Sequence, residues 1–200
     1  VFGPGPVPAD WDRLVAAIYD PSAMEEAVLG RLAAELEGED VAAMAGFFEA
    51  EPGRSLVALE LAAREAMLDD DAEQAAKERA AVAMAAEDPR LALLRRYVEA
   101  ADLVDGNVAS AMNANHAYLL ALLDGGALDD GMGEAEVTAD VWSQEAQIRA
   151  ETTEWLYAFL LAAYEPASDA DIEALIAFTE SGPGRALARA LTVAFDRLYV

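Results

Sequence analysis

The chain has 200 residues, of which 55% are hydrophobic and 26% charged, a balance typical of one globular domain with a continuous core. Its 38 Asp and Glu against 13 Lys and Arg give a formal net charge of −25, which disfavours nucleic acid and anionic lipid as partners. It has no cysteine, which excludes disulfides, thiol nucleophiles and zinc–cysteine sites.

Residues 1–8 (VFGPGPVP) are expected to form a flexible N-terminal segment. They lack the basic, apolar and small-residue order of a secretion signal, so either none exists or it has been removed before Val1. The longest strongly apolar stretch, Trp155 to Tyr164, is about half of the roughly 20 residues that a membrane-spanning helix requires. We therefore expect no membrane insertion.

Alanine, leucine, glutamate and arginine dominate most segments, and apolar residues recur at spacings of three and four, which predicts an all-α fold. The first half is predicted to form helices over 10–19, 22–38, 39–51 and 54–86. Ser22 with Glu25 has the spacing of a capping box, and Asp69-Asp70-Asp71 would lie inside the last of these helices.

The second half is predicted to continue as a bundle of about eight or nine helices in one domain, 1–200. Asp88-Pro89 should begin a helix that carries Leu91, Leu94, Val98 and Ala101 inward. Further helices are expected over 107–123, 134–164, from the Ser168 and Asp171 cap to 181–182, and from Pro183. The inner stripe of the last should carry Leu187, Leu191, Phe195 and Leu198, and residues 124–133 should form a mobile loop.

Two segments match when Pro52-Gly53-Arg54 is set against Pro183-Gly184-Arg185. Residues 40–68 then align with 171–199, and Phe47 aligns with Phe178. We interpret this as an internal repeat, a duplicated helix–Pro-Gly-Arg–helix hairpin that is a folding unit before it is a site.

The stretches FFEAEPGRSL and FTESGPGRAL resemble the hallmark of a bacterial family called domain of unknown function 2059. The resemblance is best over 138–199 and weaker over 23–67. It implies an all-helical protein that is periplasmic or otherwise exported, with no assigned activity and no catalytic residues to carry over.

A polar pocket is predicted between the 107–123 and 134–164 helices, formed by Asn113, His116, Glu145 and Trp155. Asn113 and His116 share one helix face, and Glu145 falls in an apolar stripe where a buried carboxylate could act as a general acid or base. The alternative is structural: His116 and Asn113 tie helices together, and Glu145 pairs with Arg149, four residues on.

Arg54 and Arg185 could hold an anion at a helix start, or each could fix its own turn. No metal site or cofactor is predicted, since there is only one histidine and the aspartates at 69–71, Asp124, Asp129 and Asp130 lack the order of a calcium loop.

Serine-hydrolase and phosphate-loop signatures are missing, so a common enzyme class is not expected. Three functions stay open. The first is a non-enzymatic module that binds an unknown protein partner or associates with itself. The second is a ligand binder or unusual enzyme using the polar pocket, and the third is a weak divalent-cation binder using the acidic surface.

Overall fold

The computed structural model describes residues 10–128 and 133–198, and within these ranges it is all-helical, as predicted. The predicted flexible segment 1–8, the loop aspartates Asp129 and Asp130, and Tyr199 lie outside the described residues. The described helices are α1 (Trp11–Ile18), α2 (Pro21–Glu35), α3 (Val41–Glu49), α4 (Gly53–Ala66), α5 (Asp70–Ala85), α6 (Pro89–Ala100), α7 (Leu103–Asp124), α8 (Glu134–Ser143), α9 (Glu145–Tyr164), α10 (Asp169–Thr179) and α11 (Gly182–Asp196).

These eleven helices exceed the expected number because two long predicted helices are each divided. The 54–86 segment turns at Met67 and Leu68, and the carboxylate of Asp69 then accepts a hydrogen bond from Ala72 N at 3.0 Å to begin α5. The chain has to turn there because α4 and α5 both pack against α9. The 134–164 segment changes direction at Gln144, which ends α8 and precedes α9.

The helix starts show which capping residues the sequence identifies correctly. Asp88 caps α6 with Pro89 in its first turn, and Ser168 forms a capping box with Asp171 at α10, both as predicted. At α2 the expected Ser22 and Glu25 box is wrong. The carboxylate of Asp20 caps this helix instead, accepting from Ser22 N at 2.9 Å.

The core is built around α9, against which α4, α5, α6, α7 and α8 all pack. Its buried side chains include Leu156, Phe159, Leu160 and Tyr164. Fully burying an apolar side chain of this size contributes about 1.5–3 kcal/mol, so this one helix supplies a large part of the apolar burial. A smaller cluster of Val108, Met112 and Val141 joins α7 to α8.

The structure bears out the buried stripe predicted for the helix after Asp88 but not the one predicted for the last helix. On α6, Leu91, Leu94 and Val98 are buried as expected. On α11 the prediction is wrong, because Ala186, Ala190 and Ala194 are buried while Phe195 is 51% exposed and Leu191 36%. Four helices, α2, α3, α7 and α10, pack against α11, and small side chains allow backbones to approach closely.

The two Pro-Gly turns, between α3 and α4 and between α10 and α11, meet in space. The rings of Phe47 and Phe178 stack with centroids 4.3 Å apart and planes 6° from parallel. A side chain at Gly53 would overlap the carbonyl oxygen of Phe47, and one at Gly184 would overlap that of Phe178. Each turn thus brings a helix start against the end of the preceding helix, with room only for glycine.

Candidate functional site

His116 lies in a polar seam between α7 and α8. Its Nε2 is 3.2 Å from Thr138 Oγ1, while the Thr138 hydroxyl donates to the carbonyl oxygen of Glu134 at 2.8 Å. Because a hydroxyl has one proton to donate, Thr138 Oγ1 is left as the acceptor and His116 Nε2 carries the donated hydrogen. This arrangement ties two helices together and places no carboxylate on the imidazole.

The second link in this seam is made by a residue that the sequence did not single out. Asn115 Nδ2 donates to Gln144 Oε1 at 3.2 Å, and Gln144 Nε2 donates to Asp140 Oδ2 at 2.9 Å. Asn113, the residue predicted to act with His116, is exposed. The residues of α7 that bond to α8 or to Gln144 at its end are Asn115 and His116, which are adjacent in sequence rather than three apart.

Glu145 is engaged by an arginine rather than isolated among apolar side chains. Its Oε1 accepts from Arg149 Nε at 2.7 Å, and its side chain is 31% exposed. Arg149 also donates to Asp105 on α7, and the pKa of its guanidinium is raised first by that hydrogen bond and then by the one to Glu145. These three groups form an ion-pair link between α7 and α9.

Trp155 lies farther along α9, where it packs against α4 and α5. Its ring is stacked on Phe159 with centroids 5.2 Å apart, and the guanidinium of Arg64 is 5.8 Å from its centroid. The pKa of Glu73 on α5 is lowered chiefly by a hydrogen bond from Lys77, with a smaller contribution from a hydrogen bond to Trp155. The tryptophan therefore has its own set of structural partners.

The four residues predicted to line one pocket thus have different surroundings. Trp155 is ten residues beyond Glu145, which corresponds to about 15 Å along a helix axis. His116 contacts α8, Glu145 contacts α7 through Arg149, and Trp155 contacts α4 and α5. A shared pocket gains no support from these contacts.

Open surface depressions are present elsewhere, on α1 and α2. One is lined by Asp10, Trp11, Arg13, Leu14 and Ala17, and the other by Ser22, Glu25, Glu26, Leu29 and Gly30. Both combine apolar side chains with carboxylates at their edges. Neither involves a residue that the sequence predicted as part of a site.

The arginines of the two turns bind within their own turns. Arg54 donates to Glu51 Oε1 from Nη2 at 2.7 Å and from Nε at 3.2 Å. Arg185 donates to the carbonyl oxygen of Glu180. This is the geometry of arginines that fix a hairpin, since each guanidinium is directed back to the end of the preceding helix.

A buried polar cluster that the sequence analysis missed lies between α4, α6 and α9. Tyr164 is 0% exposed, and its hydroxyl donates to Glu60 Oε1. Burial raises the pKa of Glu60, although the hydrogen bond from Tyr164 and the charge of Arg64 oppose the shift. The Tyr97 ring lies 6.1 Å from that of Tyr164, and burial raises the pKa of both phenols.

Helical spacing is the signal that could have found this cluster. Leu56, Glu60, Ala63 and Met67 follow one another at intervals of three and four, which puts a carboxylate into the apolar stripe of α4. The same spacing argument identified Glu145 and overlooked Glu60. Of these two partly buried carboxylates, Glu60 is the one that accepts a hydrogen bond from a buried core side chain.

The aspartates at 69–71 stabilise the start of a helix, and the structure gives no support for a metal-binding role. Asp69 caps α5, and Asp70 and Asp71 lie in its first turn, where the helix dipole favours negative charge. Across residues 10–128 and 133–198, no three acidic or histidine side chains converge as metal ligands would. Within the same ranges, every helix is too short or too polar to cross a membrane.

Residues 22–81 match the model of a protein family described as uncharacterized and conserved in bacteria, domain of unknown function 2059. The match spans α2, α3, α4 and most of α5, and so includes the Pro52-Gly53 turn. It gives one copy of the domain, over the segment where the motif resemblance is weaker, and the second copy stays a prediction. No curated protein and no solved structure matches the chain.

Proposed function

We propose that this is a non-enzymatic helical protein that acts by binding another protein. The observation that carries the proposal is an exposed apolar stripe on α4 and the turn after it. Val57 and Leu61 on the helix are 37% and 64% exposed, and Leu68, just beyond the helix end, is 84% exposed. Val57 and Leu61 stand four residues apart and so lie on one side of the helix. Single exposed hydrophobic residues are ordinary, but an apolar stripe on a strongly acidic protein is typical of an interaction surface.

The occupied polar groups support a non-enzymatic role. His116 bonds to Thr138, Glu145 to Arg149, and the two turn arginines to their own turns. A general acid or base has to reach a substrate, and a nucleophile has to lie beside its base. The contacts described here use the same side chains to hold helices together.

A second part of the proposal is that the two hairpins are copies of one unit. Phe47 and Phe178 occupy matching positions and stack on each other, and Gly53 and Gly184 each lie against the carbonyl of the matching phenylalanine. The helix starts differ, since Asp40 caps α3 whereas Asp171, its aligned residue, lies in the first turn of α10.

If the two turns are equivalent, replacing 49–56 by the sequence of 180–187 should leave the melting temperature of the protein within a few degrees. Loss of folding in this variant contradicts equivalence of the turns.

A third part is export to the periplasm, which the family resemblance supports. Fractionation of cells that express the protein from its native gene should place it with periplasmic markers. Its recovery with cytoplasmic markers contradicts this part alone.

Photo-crosslinking in the native cell tests the interaction proposal. A photoreactive amino acid is placed at Leu61 or Leu68 on the apolar stripe, at Leu14 on α1, or at the exposed control positions Glu78 and Glu99, which lie on other helices. We expect adducts of one defined mass from the apolar positions and none from the controls. The proposal fails if no position gives an adduct, or if the controls give the same adducts as the stripe.

A further inference from the structure

Helix α1 leaves most of its apolar side uncovered. Leu14 is 52% exposed and Ile18 60%, and these two residues stand four apart on one face. Tyr19 continues the apolar surface beyond the helix end at 66% exposure. An amphipathic helix normally buries such a face, so its exposure here indicates a surface suited to a further contact.

The packing of α1 differs from that of the other helices. In the part of the chain that the structure describes, α1 contributes to none of the extensive helix–helix interfaces, whereas α2 packs closely against α11. The exposed Leu29 of α2, at 54%, lies in one depression and Leu14 lines the other. Apolar side chains of both helices are therefore accessible from outside.

Exposed carboxylates occur on the same two helices as these exposed apolar residues. Asp12, Asp20, Glu25 and Glu26 are all exposed on α1, α2 and the link between them. The one basic side chain on α1, Arg13, is offset by an ion pair with Asp10 at 3.2 Å. This part of the chain thus presents apolar side chains and negative charge, on a protein whose net charge is −25.

We propose that α1, together with the neighbouring exposed residues of α2, forms a docking surface for a basic amphipathic helix of a partner protein. Leucine-like anchors of the partner would cover Leu14 and Ile18 and extend to Leu29. Lysine or arginine side chains of the partner would meet the exposed carboxylates of both helices, which would form an acidic rim. A groove that receives one helix face, with anchors at spacings of three and four, is a recurring mode of recognition. Opposite charge at the rim favours this occupant over wrong partners.

The same charge argument disfavours the other candidate occupants. An anionic lipid surface and a second copy of this chain both carry negative charge, so each would be repelled. This inference rests on the proposed function, because it names the partner chemistry for one surface of a protein-binding molecule. It can fail on its own, since the α4 stripe can bind a partner without α1.

The test uses the intact protein and a synthetic helical peptide of leucine and lysine, about 18 residues long, labelled with fluorescein. A peptide with glutamate in place of lysine is the charge control. Two variants are compared with the parent, L14A/I18A on α1 and L61A/L68A on α4 and the turn after it. Both replace exposed apolar side chains without changing charge, so circular dichroism and melting temperature should be unchanged.

We expect the lysine peptide to bind in fluorescence anisotropy and the glutamate peptide not to bind. L14A/I18A should weaken binding of the lysine peptide by about tenfold or more, because hydrophobic anchors at the centre of an interface carry much of its free energy. L61A/L68A should change it by less than about twofold. Raising the salt concentration should weaken binding in the parent, since exposed rim charges are screened.

Four results overturn the inference. They are no binding of the lysine peptide, equal binding of both peptides, equal effects of the two double variants, and concentration-dependent dimers that L14A/I18A abolishes. Equal effects of the two double variants indicate attraction to the overall charge only. Dimers that L14A/I18A abolishes identify a second copy of the chain as the occupant. Crosslinks from Leu61 or Leu68 in the cell, with none from Leu14, would leave the proposed function standing and remove this surface.

Discussion

Glu60 is a carboxylate whose pKa is raised by the fold. It is held beside the buried hydroxyl of Tyr164, and α6 brings Tyr97 to the same place. A carboxylate in such surroundings loses hydration that one hydrogen bond does not fully replace, which is why burial is the main cause of its raised pKa. Arg64 reduces the effect, but it also lies over the ring of Phe159, 4.8 Å from its centroid.

The raised pKa of Glu60 predicts a pH-dependent loss of stability. A carboxylic acid with a folded pKa above its unfolded value stabilises the fold when protonated, and this contribution disappears as the pH rises from about 4.5 through the folded pKa. Glu60→Gln should therefore be within about 1 kcal/mol of the parent at pH 4, because its amide oxygen can still accept from Tyr164. It should gain relative stability towards pH 8.

The measurement is urea unfolding followed by circular dichroism between pH 4 and pH 8. Glu73→Gln is the matched control, since the pKa of Glu73 is lowered by its hydrogen bond to Lys77. That variant should be less stable than the parent above about pH 4.5, and the difference should shrink as the pH falls from there towards the folded pKa of Glu73. A free-energy difference between parent and Glu60→Gln that stays constant over this pH range contradicts the prediction.

At the scale of the helical elements, the Pro-Gly turns show how local sequence and packing act together. Proline ends one helix or starts the next, which the sequence makes plain, but the requirement for glycine comes from the carbonyl of the preceding phenylalanine. The glycines are needed for this close approach, since neither Gly53 nor Gly184 has a positive φ.

We therefore expect Gly53→Ala and Gly184→Ala to destabilise the fold, each by about 2–3 kcal/mol or more, because the added methyl group overlaps a backbone atom that cannot move freely. Gly106→Ala is the control. It lies inside α7, where a Cβ would meet Thr192 Oγ1 at an ordinary 3.7 Å.

The control should be neutral or stabilising by up to about 1 kcal/mol, because alanine is the better helix former. Chemical denaturation of the three variants gives the comparison. If Gly53→Ala and Gly184→Ala have the same free energy of unfolding as Gly106→Ala, the close approach to the phenylalanine carbonyl is not the reason for glycine at the two turns.

The division of the long predicted helices shows that hydrophobic periodicity alone does not locate the point at which one helix ends and the next begins. The 54–86 segment has helix-forming residues throughout and no proline or glycine after Gly53, so local propensity favours continuation. The observed turn at Met67 and Leu68 follows from packing, since it lets α4 and α5 both contact α9. Asp69, which caps α5, could have indicated this turn. From the sequence alone, however, an aspartate that caps a new helix cannot be distinguished from one on the surface of a continuous helix.

At the scale of the whole molecule, net charge is the dominant feature. Most ion pairs, such as Arg31 with Glu35 and Arg96 with Glu173, are partly exposed, and exposed pairs contribute little to stability. The remaining carboxylates repel one another over the surface of a small protein. Screening by salt should therefore favour the folded state.

We expect the melting temperature to rise by about 2–8 °C between low salt and roughly 0.5 M NaCl, as screening worth about 1–2 kcal/mol would produce in a domain of this size. Calcium chloride at equal ionic strength should give the same rise in melting temperature if its ions only screen the acidic surface. A larger rise with calcium indicates specific binding, and no rise with either salt contradicts repulsion as a limit on stability. Differential scanning calorimetry measures both.

The sequence by itself determined the helical class, the place of the Pro-Gly turns, the caps at Asp88 and Ser168, and the buried stripe of α6. These features depend on neighbours along one chain segment, so spacing and residue type suffice to identify them. Tertiary structure alone decided that α9 is central, that alanines rather than leucines line the inner side of α11, and that Glu60 rather than Glu145 is hydrogen-bonded to a buried core side chain. Those outcomes depend on which helices meet, and an amphipathic pattern specifies that a face is covered without specifying what covers it.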